Sequence, residues 1–136
     1  MIYLDSNVFI YACLDTDGHG LKARDLLRRV EKGELEASTS TLTFDEVAWA
    51  VKRHRDLDHA ASAGEALVNM AGLQLVSVDE SIIRSSITLM RRYSFDPRDS
   101  IHAASAIRSG AETIVSTDQH FDRMEKPGRR EIKDTL

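Results

Sequence analysis

The chain has 136 residues, 42% of them hydrophobic and 29% charged, with a net charge of -4. That is the size and balance of one folded domain, and it excludes a low-complexity, repetitive or two-domain organisation. The single cysteine excludes a disulfide framework, and no apolar run approaches the roughly 18 residues of a membrane span, so a soluble cytoplasmic protein with no membrane partner is expected. The acidic balance argues against nucleic-acid binding through bulk positive charge, while leaving room for basic patches at 53–55, 91–92 and 129–130.

In chain order, "MIYL" reads as a first strand and "NVFIYACL" as a short apolar helix in which Cys13 is expected to be a buried thiol, followed by the loop "DTDGHG". A helix near 20–32 carries Ala23, Leu26, Leu27 and Val30 on one stripe and stops at Gly33. "ELEAS" is the second strand. Helices near 42–54, with Phe44, Val47, Ala48 and Val51 on one face, and near 57–71 form a hairpin across "HRDLD". "LQLVSV" is the third strand, and a helix near 80–93 opens on the capping-box pair Ser77 and Glu80. The next helix has both ends written in the sequence, with Asp96 as cap, Pro97 as first residue and Gly110 as terminator. "ETIVST" is the fourth strand. From about 126 the chain is polar, so the ordered core is expected over about 1–125 and a loop, with a small edge strand at most, over 126–136. Strands alternating with helices predict an α/β sandwich on a mostly parallel sheet.

Two strands run into an aspartate, Asp5 and Asp118, and such sheets bind ligands outside the carboxyl ends of their strands. Glu46 and Asp99 sit in helix first turns. Singly, each acid has a capping explanation, Thr43 with Glu46 included. Asp5 resists it best, because it lies between an apolar strand and an apolar helix, where an unpaired charge is costly and a cation removes the cost. The five histidines show no zinc spacing, whereas three or four carboxylates suit Mg2+ or Mn2+, ions that activate water and stabilise leaving oxygens in phosphodiester hydrolysis. "GHGLKA" follows a helix rather than a strand and reads as a flexible connection. His102, on an alanine-rich helix, reads as a hydrogen-bonded structural residue, His19 as an exposed loop residue, and Trp49 with Phe44 as core or interface packing.

"YLDSNVFIYA", "TFDEVAWAV", "RDSIHAASA" and "IVSTDQHFDRM", in this order and spacing, resemble the four motifs of PIN-domain nucleases, and the compact size and helical hairpin resemble VapC-type toxins of toxin-antitoxin pairs. The resemblance implies a PIN-like three-layer sandwich and makes Asp5, Glu46, Asp99 and Asp118 the catalytic and metal-binding set, with Ser6, Asn7, Thr117 and Asp122 in support. It also implies a divalent-metal-dependent endoribonuclease that attacks with activated water and forms no covalent intermediate, with an RNA substrate, a small antitoxin partner and a homodimer. Lys52, Arg53, Arg55 and Arg98 are the candidates for holding the RNA backbone. A housekeeping RNA-processing nuclease, and a weakly catalytic module that binds RNA or protein, stay open as alternatives. A phosphatase is set aside because no phosphate loop or nucleophile motif is present.

Overall fold

A computed structural model of the chain describes residues 1–135; Leu136, the last residue of the polar segment expected over 126–136, lies outside them. The elements run β1 (Ile2–Leu4), α1 (Ser6–Leu14), α2 (Gly18–Glu31), β2 (Ala37–Ser40), α3 (Leu42–His54), α4 (Leu57–Val68), β3 (Leu73–Val76), α5 (Glu80–Tyr93), α6 (Pro97–Arg108), β4 (Thr113–Val115) and β5 (Gly128–Arg130). Short 3-10 turns at Gln119–Arg123 and Ile132–Asp134 flank β5.

All four strand pairings are parallel, in the order β3-β2-β1-β4-β5. From β1 the chain steps outward to β2 and β3, then returns through α5 and α6 to lay β4 on the other side of β1. The order therefore reverses between β1 and β4, and the carboxyl ends of these two strands flank the crevice where open parallel sheets bind ligands.

Alternation along the strands divides the core into two layers. Leu4 and Val115 join Val8, Leu26, Val30, Val47, Val51 and Leu67 under α1 to α4. Tyr3 and Ile114 join Phe95, Ala103, Ala106 and Phe121 under α6 and the turn after β4. Burying each large side chain of this kind contributes about 1.5–3 kcal/mol. The α3–α4 hairpin closes tightly because Gly64 has no side chain: a Cβ there would fall 2.6 Å from the Phe44 ring.

Helix ends follow the expected chemistry in part. Gly33 and Gly110 adopt φ of +79° and +76°, the left-handed conformation that lets the chain leave α2 and α6. The capping box expected from Ser77 and Glu80 does not form; Asp79 caps α5 instead, accepting from the Ile82 N–H at 2.9 Å. Thr43 is likewise no cap, since its hydroxyl is buried against that of Thr39 at 2.7 Å. Cys13 is exposed, because α1 turns Val8 and Phe9 inward and leaves Cys13 on its outer side.

The chain beyond 125 enters the fold more deeply than its polar composition suggested. β5 pairs with β4, and Ile132 is fully buried in the larger core layer. Among the described residues, no helix is long and apolar enough to cross a membrane.

Candidate functional site

Asp5 is the first residue after β1 and the cap of α1, its Oδ1 accepting from the Ser6 N–H at 2.8 Å. Its Oδ2 accepts from the Ser116 hydroxyl at 2.7 Å and from Asn7 Nδ2 at 3.2 Å. Ser116, directly after β4, also accepts from Asn7 Nδ2 and from the Asp118 N–H, at 3.0 and 2.9 Å. One hydroxyl thus ties the end of β1 to the loop that presents Asp118. Asn7 Oδ1 is buried and has no hydrogen-bond partner among the described residues, an unusual state for a buried amide oxygen.

Glu46 and Asp99 come from opposite sides of the sheet edge, on α3 and α6. His102, one turn beyond Asp99 on α6 and 1% exposed, joins Glu46 and Asp5: its Nε2 lies 2.5 Å from Glu46 Oε1 and 3.5 Å from Asp5 Oδ1. Its Nδ1 meets the Tyr3 hydroxyl at 2.6 Å. Asp118 and Asp99 are joined in a similar way by the half-exposed His120, whose Nδ1 lies 3.2 Å from Asp118 Oδ1 and 3.4 Å from Asp99 Oδ2. Asp118 Oδ1 also caps the following turn through the His120 N–H.

The electrostatics follow from this crowding. Burial pushes the Asp99 carboxyl above its ordinary range, and the neighbouring Asp118 and Asp5 push it further. Burial alone would lower the His102 imidazole, but Asp5 and Glu46 beside it outweigh that and hold it above its ordinary value. The cluster carries four carboxylates and favours a cation. Asp99, Asp118 and His120 each offer one ligand atom within 4.8 Å of the others, and the carboxylate oxygens among these donors are of the kind that suits a hard divalent cation.

These groups open on a cleft of about 470 Å³ lined by Glu46, Asp96, Pro97, Arg98, Asp99, Asp118 and His120. An adjoining depression of about 260 Å³ shares Glu46 and Arg98 and adds Ile10, Asp45, Trp49 and Arg53. Of the basic residues nominated from the sequence, Arg98 and Arg53 therefore flank the acids. Lys52 lies over the Trp49 ring at 4.7 Å, and Arg55 lines a separate depression with Cys13, Leu14 and His59.

Asp5, Glu46, Asp99, Asp118, Ser6 and Asn7 thus gather at one sheet edge. Asp122 is turned aside into an ion pair with Arg129 at 2.9 Å, and the bridging hydroxyl belongs to Ser116 rather than to its neighbour Thr117. Ser116 and His120 are not among the residues expected at the site, and His102 is expected to be a structural residue. The available signals were spacing: His102 follows Asp99 by three, on one side of the helix, and Ser116 and His120 lie two residues either side of Asp118.

The acid cluster lies at the strand ends, at the crossover of a five-stranded parallel sheet. The chain belongs to the PIN domain family, whose model matches residues 2–127. Among solved structures it is similar to VapBC2 from Rickettsia felis bound to a promoter DNA fragment, with a TM-score of 0.73, 18% identity, and coverage of 96% of this chain and 98% of the other. FitAcB from Neisseria gonorrhoeae superimposes with a TM-score of 0.72 at 16% identity, covering 96% and 97% of the two chains. Mycobacterium tuberculosis VapC20, described as a sarcin-ricin loop cleaving toxin, gives 0.70 at 15% identity, covering 88% and 91%. A search of curated protein sequences found no significant match.

Proposed function

We propose that the chain is a divalent-metal-dependent endoribonuclease and the toxin of a toxin-antitoxin pair. The observation that carries this reading is the convergence of Asp5, Glu46, Asp99 and Asp118 at the β1–β4 crossover, with Asp99 and Asp118 brought together at His120. Four carboxylates repel an RNA phosphate unless a cation stands between them, so the cluster has little use to a module that only binds nucleic acid. The similarity to VapBC, FitAcB and VapC20 supports the toxin role and a small antitoxin partner.

Asp5, Glu46 and Asp99 would hold the main ion, and Asp118 a second ion or the attacking water. When bound, Mg2+ or Mn2+ supplies Lewis acidity, polarising a phosphate oxygen and acidifying water at neutral pH. The chain's own part is to aim the ligands. Ser116 and Asn7 orient Asp5, and His102 orients Glu46. Arg98 and Arg53 hold the RNA backbone beside the acids. The reading includes a homodimer, for which α5 offers Ile83 and Ile87, one turn apart and open to solvent.

The test is cleavage of structured RNAs in Mg2+, Mn2+ and chelator, by the wild type and by Asp99→Asn with folding verified. Cleavage that needs metal and is lost in the variant supports the nuclease reading; full activity in chelator overturns it. Growth arrest on expression of the wild type but not of Asp99→Asn supports the toxin role.

A further inference from the structure

Tyr3 is fully buried in the layer formed with Phe95, Ala103, Ala106, Ile114 and Phe121, where phenylalanine would pack as well. Its hydroxyl meets His102 Nδ1 at 2.6 Å, with the buried hydroxyls of Thr39 and Ser105 also beside it. The imidazole is as buried as the phenol, and its other nitrogen meets Glu46 Oε1 at 2.5 Å.

An ionised carboxylate only accepts, so His102 Nε2 donates to Glu46. Nδ1 pairs with the Tyr3 hydroxyl in either protonation state, accepting its hydrogen when the ring is neutral and donating to its oxygen when the ring is charged. Both ring nitrogens are engaged in this way. The contacts also register three elements. Tyr3 lies two residues before Asp5 on β1, His102 lies three after Asp99 on α6, and Glu46 belongs to α3. Oε1 of Glu46 is taken by the ring, while among the described residues no hydrogen bond reaches Oε2, which is left to bind.

We propose that Tyr3 and His102 are positioning residues that fix the Glu46 carboxylate, through this chain of hydrogen bonds, for binding the divalent ion. The proposal rests on the reading of Glu46 as a metal ligand given above. Metal-ligating carboxylates commonly depend on such partners, whose loss weakens affinity by roughly 10–100-fold.

The test is Mn2+ binding to the purified full chain, followed by the paramagnetic resonance of the free ion, with folding checked by thermal melting. Tyr3→Phe, which removes a single oxygen atom, is expected to stay folded and to weaken Mn2+ binding about tenfold. His102→Gln, which returns a donor to Glu46, is expected to keep more affinity than His102→Leu, a rescue that a packing role would not produce. Glu46→Gln is the reference for loss of the ligand itself. If Glu46→Gln weakens binding while Tyr3→Phe and both His102 variants bind like the wild type, the positioning role is overturned and the metal-site reading stands. If Glu46→Gln binds like the wild type, both fall. Should His102→Leu not fold, Tyr3→Phe and His102→Gln carry the same decision.

Discussion

Ser116 and Asp5 meet across the junction of β4 and β1, the serine hydroxyl donating to Asp5 Oδ2 at 2.7 Å. The serine Oγ itself accepts from Asn7 Nδ2 and the Asp118 N–H, so its removal takes one partner from Asp5 and from Asn7 and leaves the Asp118 N–H with none. Ser116→Ala is expected to lower stability by about 1.5–3 kcal/mol, the range for a hydrogen bond to a charged group, and to reduce metal-dependent cleavage. Thr117→Ala, which removes the neighbouring hydroxyl, should change both much less. Urea unfolding and an RNA cleavage time course of the two variants check this.

Asp99 yields a prediction whose sign runs against ordinary intuition. Its carboxyl is held above the ordinary 3.8 by burial, and by Asp118 and Asp5 beside it. The native state therefore binds the proton more tightly than the unfolded chain does. That contribution to stability is complete below pH 3.8 and is lost as pH rises through the raised value. At neutral pH the ionised Asp99 costs the metal-free fold stability. Asp99→Asn should raise the melting temperature of the metal-free protein while abolishing the further rise that Mn2+ gives the wild type. Melting curves with Mn2+ and with chelator, at pH 7 and near pH 4, separate the two effects.

Asp122 and Arg129 bind each other, and Arg129 also reaches Glu131 at 2.6 Å and the Ser116 carbonyl at 3.0 Å. These carboxylates hold the guanidinium well above its already high ordinary value, so it stays charged. Asp122→Asn is expected to leave Mn2+ affinity within about twofold of the wild type, because this acid is engaged in anchoring β5. Arg129→Leu should destabilise the protein by about 1–3 kcal/mol, leaving charged partners without their donor. Calorimetric Mn2+ titration and urea unfolding provide the two readings.

Arg98 and Arg55 were equal candidates for RNA contact in the sequence, and their surroundings now separate them. Arg98 flanks the acid cleft and Arg55 lies in a different depression. With cleavage disabled by Asp99→Asn, adding Arg98→Ala should weaken RNA binding and reduce the slope of log affinity against log salt by about 0.7, the single-strand value per phosphate contact. Adding Arg55→Ala should leave the slope unchanged. Binding measured over a salt series decides.

Ile132 tests how far the fold extends. It is fully buried in the larger core layer, and Ile132→Ala is expected to cost about 2–5 kcal/mol, measured by urea unfolding.

The strands and helices were legible where a single period ran long enough, as in the stripe of Ala23, Leu26, Leu27 and Val30, and where chemistry marked an end, as Pro97 and Gly110 do for α6. What failed was local choice among similar groups. Ser77 and Asp79 both make good caps, and only the path of the chain out of β3 selects Asp79. Ile132 stands alone among polar residues, so nothing periodic announces its burial. The acids were legible because they end strands and open helices. The histidines between them were not, since an imidazole acquires its role from partners distant in sequence: Tyr3 lies 99 residues from His102, and Glu46 lies 56 away.

The crossover that sets Asp5 beside Ser116 joins residues 111 positions apart. Until β4 has docked, Asp5 has no partner across the crevice, and Asp118 has not arrived. A ribosome-bound fragment ending before β4 therefore carries three of the four acids and no assembled centre. The order of the strands thus means that the fourth acid joins the other three only once β4 has been made and has docked beside β1.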